Sequence, residues 1–190
     1  MAEQINEYRL MRQKKNAELK NVIQKAKDNG VHESIIHLLE AYDKLQVDDK
    51  IPIELHDGAD EEQITAFEKS YGIKLPKEYR EFLEFSNGAG MFEAGCIDIF
   101  GVNKAEKYSL YTRNEEEIRR VYDMDEKLPD HFLIIGSDGE GNPICADLNT
   151  GKIIFWDLAL YKSVYVGVDF FNYLEEDVID FIVSLEETDD

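Results

Sequence analysis

The sequence predicts an α+β fold, a mostly antiparallel sheet of about five to six strands covered by helices, with an N-terminal helical hairpin. Three observations lead there. Between residues 132 and 166, four short apolar segments are separated by short turns, the first two of them containing Gly and Asn, which favours antiparallel neighbours. Upstream of them, apolar residues recur at helical spacing around a Leu75-Pro76 junction. Downstream, Phe170, Phe171, Leu174, Val178, Phe181, Ile182 and Leu185 form a broad helical stripe that has to cover the sheet.

Residues 1–50 read as a helical arm and residues 51–190 as the main domain. Leu19, Val22, Ile23 and Ala26 make one stripe, Asn29 and Gly30 interrupt it, and Ile35, Leu38, Leu39 and Tyr42 repeat the spacing. Before residue 18 the pattern fades, with Leu10 and Met11 set among Arg9, Arg12, Lys14 and Lys15. A two-helix hairpin cannot bury both stripes by itself, so it has to pack on the main domain or on another chain. Residues 47–52, ending in Pro52, are the expected linker.

In the main domain Asp60 is placed to cap a helix presenting Ile64, Phe67 and Tyr71, which Gly72 then stops. Pro76 suits the first turn of a second helix, where its missing N–H leaves no hydrogen bond unmade. That helix buries Tyr79, Phe82 and Leu83, and Asn87-Gly88 offers a left-handed exit. Residues 97–100 and 108–111 alternate as strands, and Thr112 with Glu115 reads as a capping box opening a short helix through Ile118, Val121 and Tyr122. Strands are expected at 132–135, 144–148, 152–156 and 164–166. The glycine-rich stretch 136–142 between the first two reads as a hairpin turn with Gly139 and Gly141 at positive φ.

The order of these pieces carries a resemblance. Helix, Leu75-Pro76, helix and Asn87-Gly88-Ala89-Gly90 are followed by Gly136-Ser137-Asp138-Gly139-Glu140-Gly141, a strand ending in Trp156, and an amphipathic closing helix. Over about residues 53–185 this resembles the SUKH superfamily of bacterial immunity proteins, which also includes fungal Smi/Knr-type regulators of cell-wall synthesis. It departs from the pattern at Ile53-Glu54-Leu55-His56, where members often carry a tryptophan. The resemblance implies a non-catalytic binding protein that neutralises a cognate toxin, often a nuclease or another enzyme with a cationic substrate site.

Charge divides unevenly along the chain. Residues 1–50 hold nine basic and nine acidic residues, whereas residues 51–190 hold twelve basic and thirty-two acidic ones, the whole of the net charge of −20. Nucleic-acid backbones and anionic membranes are bound by Lys and Arg clusters, so neither is an expected partner. A protein with a basic surface is, and a cognate toxin meets that description. The local clusters that nominate themselves as contact faces are Glu115, Glu116 and Glu117, then Asp138 and Glu140, then Glu175, Glu176 and Asp177. Trp156, Tyr161 and Tyr165 are candidate aromatic anchors, although Trp156 in an apolar strand suits the core better. A regulatory scaffold using the arm, or an enzyme of unfamiliar type, are the competing classes.

Catalytic patterns are missing. His32 and His37 are five apart and miss the same-face spacing of a helical metal pair, while His56 and His131 stand alone. Cys96 and Cys145 are 49 positions apart, which fits neither a zinc pattern nor a redox pair and leaves unbridged thiols as the expectation. Ser137 lacks the glycine two residues before it that a nucleophile elbow needs. Asp138, Glu140 and Asn142 imitate the start of a calcium loop, but Pro143 and Asn149 occupy its sixth and twelfth positions. No catalytic residue, metal or cofactor is therefore expected. No apolar run approaches the ~18 residues of a membrane span and residues 1–5 are polar, which points to the cytoplasm.

Overall fold

The computed structural model describes residues 2–45, 51–104, 109–119, 128–160 and 162–187. Helices α1 (Ala2–Asp28) and α2 (Glu33–Lys44) form the arm, α1 extending well beyond its apolar stripe. Gly30, at φ +67°, closes α1 while Val31 donates its N–H back to the Ala26 carbonyl at 3.0 Å. Of the two ways to cover the arm, the chain uses its own main domain. Ile35, Leu38, Leu39 and Tyr42 are buried, and α2 lies along the closing helical segment. His32 joins the two parts: its Nδ1 accepts from Ser34 N–H at 3.3 Å and its ring stacks on Phe171 at 3.7 Å.

Helix α3 (Glu61–Tyr71) begins as its sequence dictates. Asp60 accepts from Gln63 N–H at 2.8 Å, the Gln63 side chain accepts from Asp60 N–H at 2.9 Å, and Gly72 at φ +65° ends the helix. Helix α4 (Lys77–Phe85) follows Pro76, and its Tyr79 and Phe82 meet Phe170 edge to face at 5.2 and 5.3 Å. The Tyr79 hydroxyl donates to the Phe100 carbonyl. The exit leaves the helix in an extended step at Ser86, and the left-handed residue is Gly88 at φ +103°.

Among the described residues seven strands pair antiparallel in sequence order: β1 (Glu54–Leu55), β2 (Ala89–Met91), β3 (Ile97–Ile99), β4 (Phe132–Ser137), β5 (Pro143–Asp147), β6 (Ile153–Asp157) and β7 (Lys162–Val166). Two strands were not among those expected: β1, whose two residues pair with Ala89 and Gly90 and are too few to show an alternation, and β2, which occupies the glycine-containing stretch after the α4 exit. The strand expected at 108–111 is not formed. Tyr108 lies outside the described residues, and the rest belongs to helix α5 (Leu110–Arg113), capped by Ser109, whose Oγ accepts from Thr112 N–H at 3.3 Å. The cap is thus three residues earlier than the Thr112 box, and α6 (Glu116–Arg119) follows as a separate turn. Asn114 sets the break: buried, it donates to the Leu110 and Ile134 carbonyls at 3.0 and 2.8 Å and accepts from Ile134 N–H at 2.9 Å, which fastens α5 to β4. Val121 and Tyr122 lie outside the described residues.

The chain closes with α7 (Phe170–Tyr173), a π-helical turn (Leu174–Ile179) and α8 (Asp180–Glu187). One apolar core cluster runs from Leu19 in the arm through Trp156 to Ile182 in α8. Cys96 and Cys145 are unbridged, and burial pushes the Cys145 thiol up to about 12.

Candidate binding site at the turn end of the sheet

Hairpin turns in a meander alternate between the two ends of the sheet, so the β4–β5 and β6–β7 turns share one end. Asn142 ties them together: its Oδ1 accepts from Leu158 N–H at 3.0 Å and its Nδ2 donates to Asp138 at 2.9 Å. Asp138 in turn accepts from the N–H groups of Glu140 and Asn142 at 3.0 and 2.8 Å, and Asp157 from those of Ala159 and Leu160 at 2.7 and 3.0 Å. Each aspartate builds its turn and leaves a carboxylate at this end. Gly141 has the expected positive φ of +86°, but Gly139 does not. Space is what requires glycine there, because a Cβ would lie 2.8 Å from the Gly95 carbonyl oxygen and 2.9 Å from Cys96 Cβ.

The third wall comes from the closing segment. Asp169 caps α7, accepting from Asn172 N–H at 3.0 Å, and the π-helical turn then inserts the wider spacing that frequently marks functional sites. Asp177, on that turn, closes a cavity of about 320 Å³ whose other walls are Asp138, Asn142, Phe155, Trp156, Asp157 and Val164. Three polar atoms here are buried without a hydrogen-bond partner: Trp156 Nε1, the Tyr173 hydroxyl and Asp177 Oδ2. Buried polar atoms are nearly always paired, so three in one place need a reason. Trp156 is 2% exposed and Tyr173 fully buried, with the Tyr173 ring 5.7 Å from that of Phe155. Burial pushes the Tyr173 phenol well above its ordinary value, and the charges of Asp177 and Asp138 push it further. Asp177 is also held above the usual aspartate range, by burial first and then by Glu176 and Asp180.

Two of the three acidic clusters nominated from the sequence therefore converge, Asp138 with Asp177, although they are far apart in the chain. Glu140 and Glu176 are exposed beside them. Glu175 faces elsewhere, pairing at 2.9 Å with His37 of the arm. Glu115 and Glu116 are exposed on the α5–α6 segment, which Arg119 ties to the Phe132 and Pro129 carbonyls at the opposite end of β4. The Glu117 side chain, Tyr161 and the Tyr165 side chain lie outside the described residues. Trp156 belongs to the core and also lines the cavity. Sequence reading did not single out Asp157, Phe155 or Tyr173. The regular alternation of short hairpins was the available signal for Asp157, since it places the first and third turns of a four-strand run together.

Among the described residues no group of three His, Cys, Asp or Glu side chains is arranged to hold a metal, and no helix is long and apolar enough to cross a membrane. The cavity presents recognition chemistry: carboxylates, aromatic faces and unspent donors. Residues 58–176, more than half of the sequence and including Asp138, Trp156 and Tyr173, match the SMI1 / KNR4 family (SUKH-1). The chain belongs to that family. A SPbeta prophage-derived uncharacterized protein, YokK, of Bacillus subtilis (strain 168) is 24% identical over 151 residues, 67% of this chain and 77% of that protein. The fold is similar to the crystal structure of a protein from Pseudomonas syringae pv. tomato, with a TM-score of 0.52, 17% identity, and coverage of 74% of this chain and 98% of the other. The arm, β1 and Asp177 fall outside the span shared with the SUKH-1 family.

Proposed function

We propose that this SUKH-1 protein is a bacterial, cytoplasmic, non-catalytic binder that neutralises a cognate protein toxin by covering a basic surface on it. The observation that carries the reading is the convergence of Asp138, Asp157 and Asp177 around one cavity, beside the half-exposed Leu160 and Val164. Carboxylates steer a cationic partner and apolar rim residues hold it, which divides recognition into rate and residence. Family membership supports the same reading, as does the acidic excess on residues 51–190. A nuclease is a fitting toxin, because its phosphate-binding groups are cations that an acidic inhibitor can occupy. Within this reading Asp138, Glu140, Glu176 and Asp177 form the contact face, Glu175 supports it through His37, and Glu115, Glu116 and Glu117 form a separate face.

Co-expression with the toxin domain encoded beside this chain tests it. Growth should be rescued, and the purified pair should associate at a rate that falls steeply with salt. Absence of rescue, or association indifferent to salt, refutes the electrostatic binder. One observation favours a scaffold instead, namely Leu10 and Met11, 60% and 47% exposed on α1. A partner that docks on the arm and ignores the turn end would decide for it.

A further inference from the structure

The cavity has a composition that selects among cations. Three carboxylates line it, and no Lys, Arg or His is among its lining residues. Asp138 is largely occupied within its own turn, whereas Asp177 Oδ2 is buried and unpartnered. Phe155 and Trp156 add aromatic faces, and Trp156 is nine-tenths buried with an indole N–H that has no acceptor. A buried carboxylate oxygen facing no cation costs stability unless a ligand completes it. Acceptors stand on three separate elements, the β4–β5 turn, the end of β6 and the π-helical turn, with ring faces between them.

We infer that this cavity is a socket for a single arginine side chain presented by the protein partner. The inference rests on the partner-binding reading above and adds the group that is recognised. A guanidinium is planar, carries five donors in a fixed fork and stacks on aromatic rings, so it can meet Asp177 and Asp157 at once while lying against Phe155 or Trp156. An ammonium is a compact point charge and would leave part of that set unmet. The Trp156 indole N–H, which belongs to a residue lining the cavity and has no acceptor, lies close enough to report on an occupant. The half-exposed Val164 lines the cavity and would cover the stem of the arginine. A volume of about 320 Å³ is ample for one such side chain.

The chain holds one tryptophan, so its indole N–H gives one unambiguous signal in a proton–nitrogen correlation spectrum. The probe is N-acetyl-argininamide, titrated into the full chain to tens of millimolar. A saturable shift of the Trp156 indole signal is expected, with the lysine analogue at least several-fold weaker and the neutral citrulline analogue without effect. Asp177→Asn and Asp157→Asn should each weaken the arginine probe about tenfold, with thermal melts reporting that both variants fold. An unmoved indole signal, an equal response to citrulline or to lysine, or undiminished binding by both variants overturns the socket. The same two variants are then co-expressed with the neighbouring toxin domain. Lost protection supports the socket as the partner's anchor, and full protection overturns it while leaving the immunity reading intact. Failure of the unaltered chain to protect, by contrast, overturns the immunity reading whatever the probe does.

Discussion

Glu68 and Asp177 are both acidic side chains taken partly or wholly out of water, and the chain treats them in opposite ways. Glu68, 3% exposed, is fully provided for: Lys74 donates to it at 2.5 Å, Leu75 N–H at 3.0 Å, and Arg80 lies 3.3 Å away. Burial alone would raise its pKa, but those hydrogen bonds and charges hold it below the usual glutamate range. Asp177 has an oxygen with no partner and two acidic neighbours, and its pKa is raised. The first carboxylate fastens the α3–α4 junction. The second is left with an unpaired oxygen at a cavity, the contrast on which the partner-binding proposal rests.

Substitutions can break this contrast. The largest effect belongs to Glu68→Ala, which leaves the buried Leu75 N–H without its acceptor and strips Lys74 and Arg80 of one ion pair each, Arg80 keeping Glu61 and Glu84, and should cost about 3 kcal/mol in urea unfolding. Next, Gly139→Ala should cost about 2 kcal/mol by driving a methyl group into the Gly95 backbone, with a lower melting temperature as the readout. Glu175→Ala removes the partly exposed pair with His37 and should cost about 0.5 kcal/mol, so a much larger loss would make that pair a principal fastening of the arm. Asp177→Asn should change stability least and in the other direction, a gain of about 0.3 kcal/mol at neutral pH after solvent screening.

The two carboxylates should also part company on acidification. Glu68 is more acidic folded than unfolded, so its contribution is complete above its ordinary value of 4.5 and is lost as pH falls through the lower folded value. Asp177 is less acidic folded, so the unaltered chain gains stability as pH falls through a value above the ordinary 3.8, and the advantage of Asp177→Asn shrinks there. Melting curves of both chains between pH 7 and 4 would show the difference closing. A difference that widened would mean that Asp177 is stabilised as the anion.

Much of the fold was legible because its signals are local. The Asp60 cap, the Gly72 stop, the arm's two stripes and four hairpin strands each follow from a few adjacent residues. Strand β1 was not legible, since two residues carry no period, nor was β2, whose three residues include Gly90, and neither was α5, because Asn114 fixes it through contacts with a strand twenty residues away. The site was half legible. Asp138 and Asp177 stood out by charge, yet their meeting depends on turn alternation and on a π-helical turn, and no residue type announces the latter. Gly139 looked like a residue needed for its backbone angle and proved to be needed for its missing side chain.

The sequential order of the strands has an evolutionary consequence. Because every strand pairs with its chain neighbours, lengthening the β4–β5 or β6–β7 turn shifts no register elsewhere, and the entropic cost of a few added residues is small. Those are the turns that carry Asp138 and Asp157. Under the binding role proposed above, descendants of such a chain could rewrite what they recognise by insertion at this end alone, while the sheet beneath is inherited unaltered.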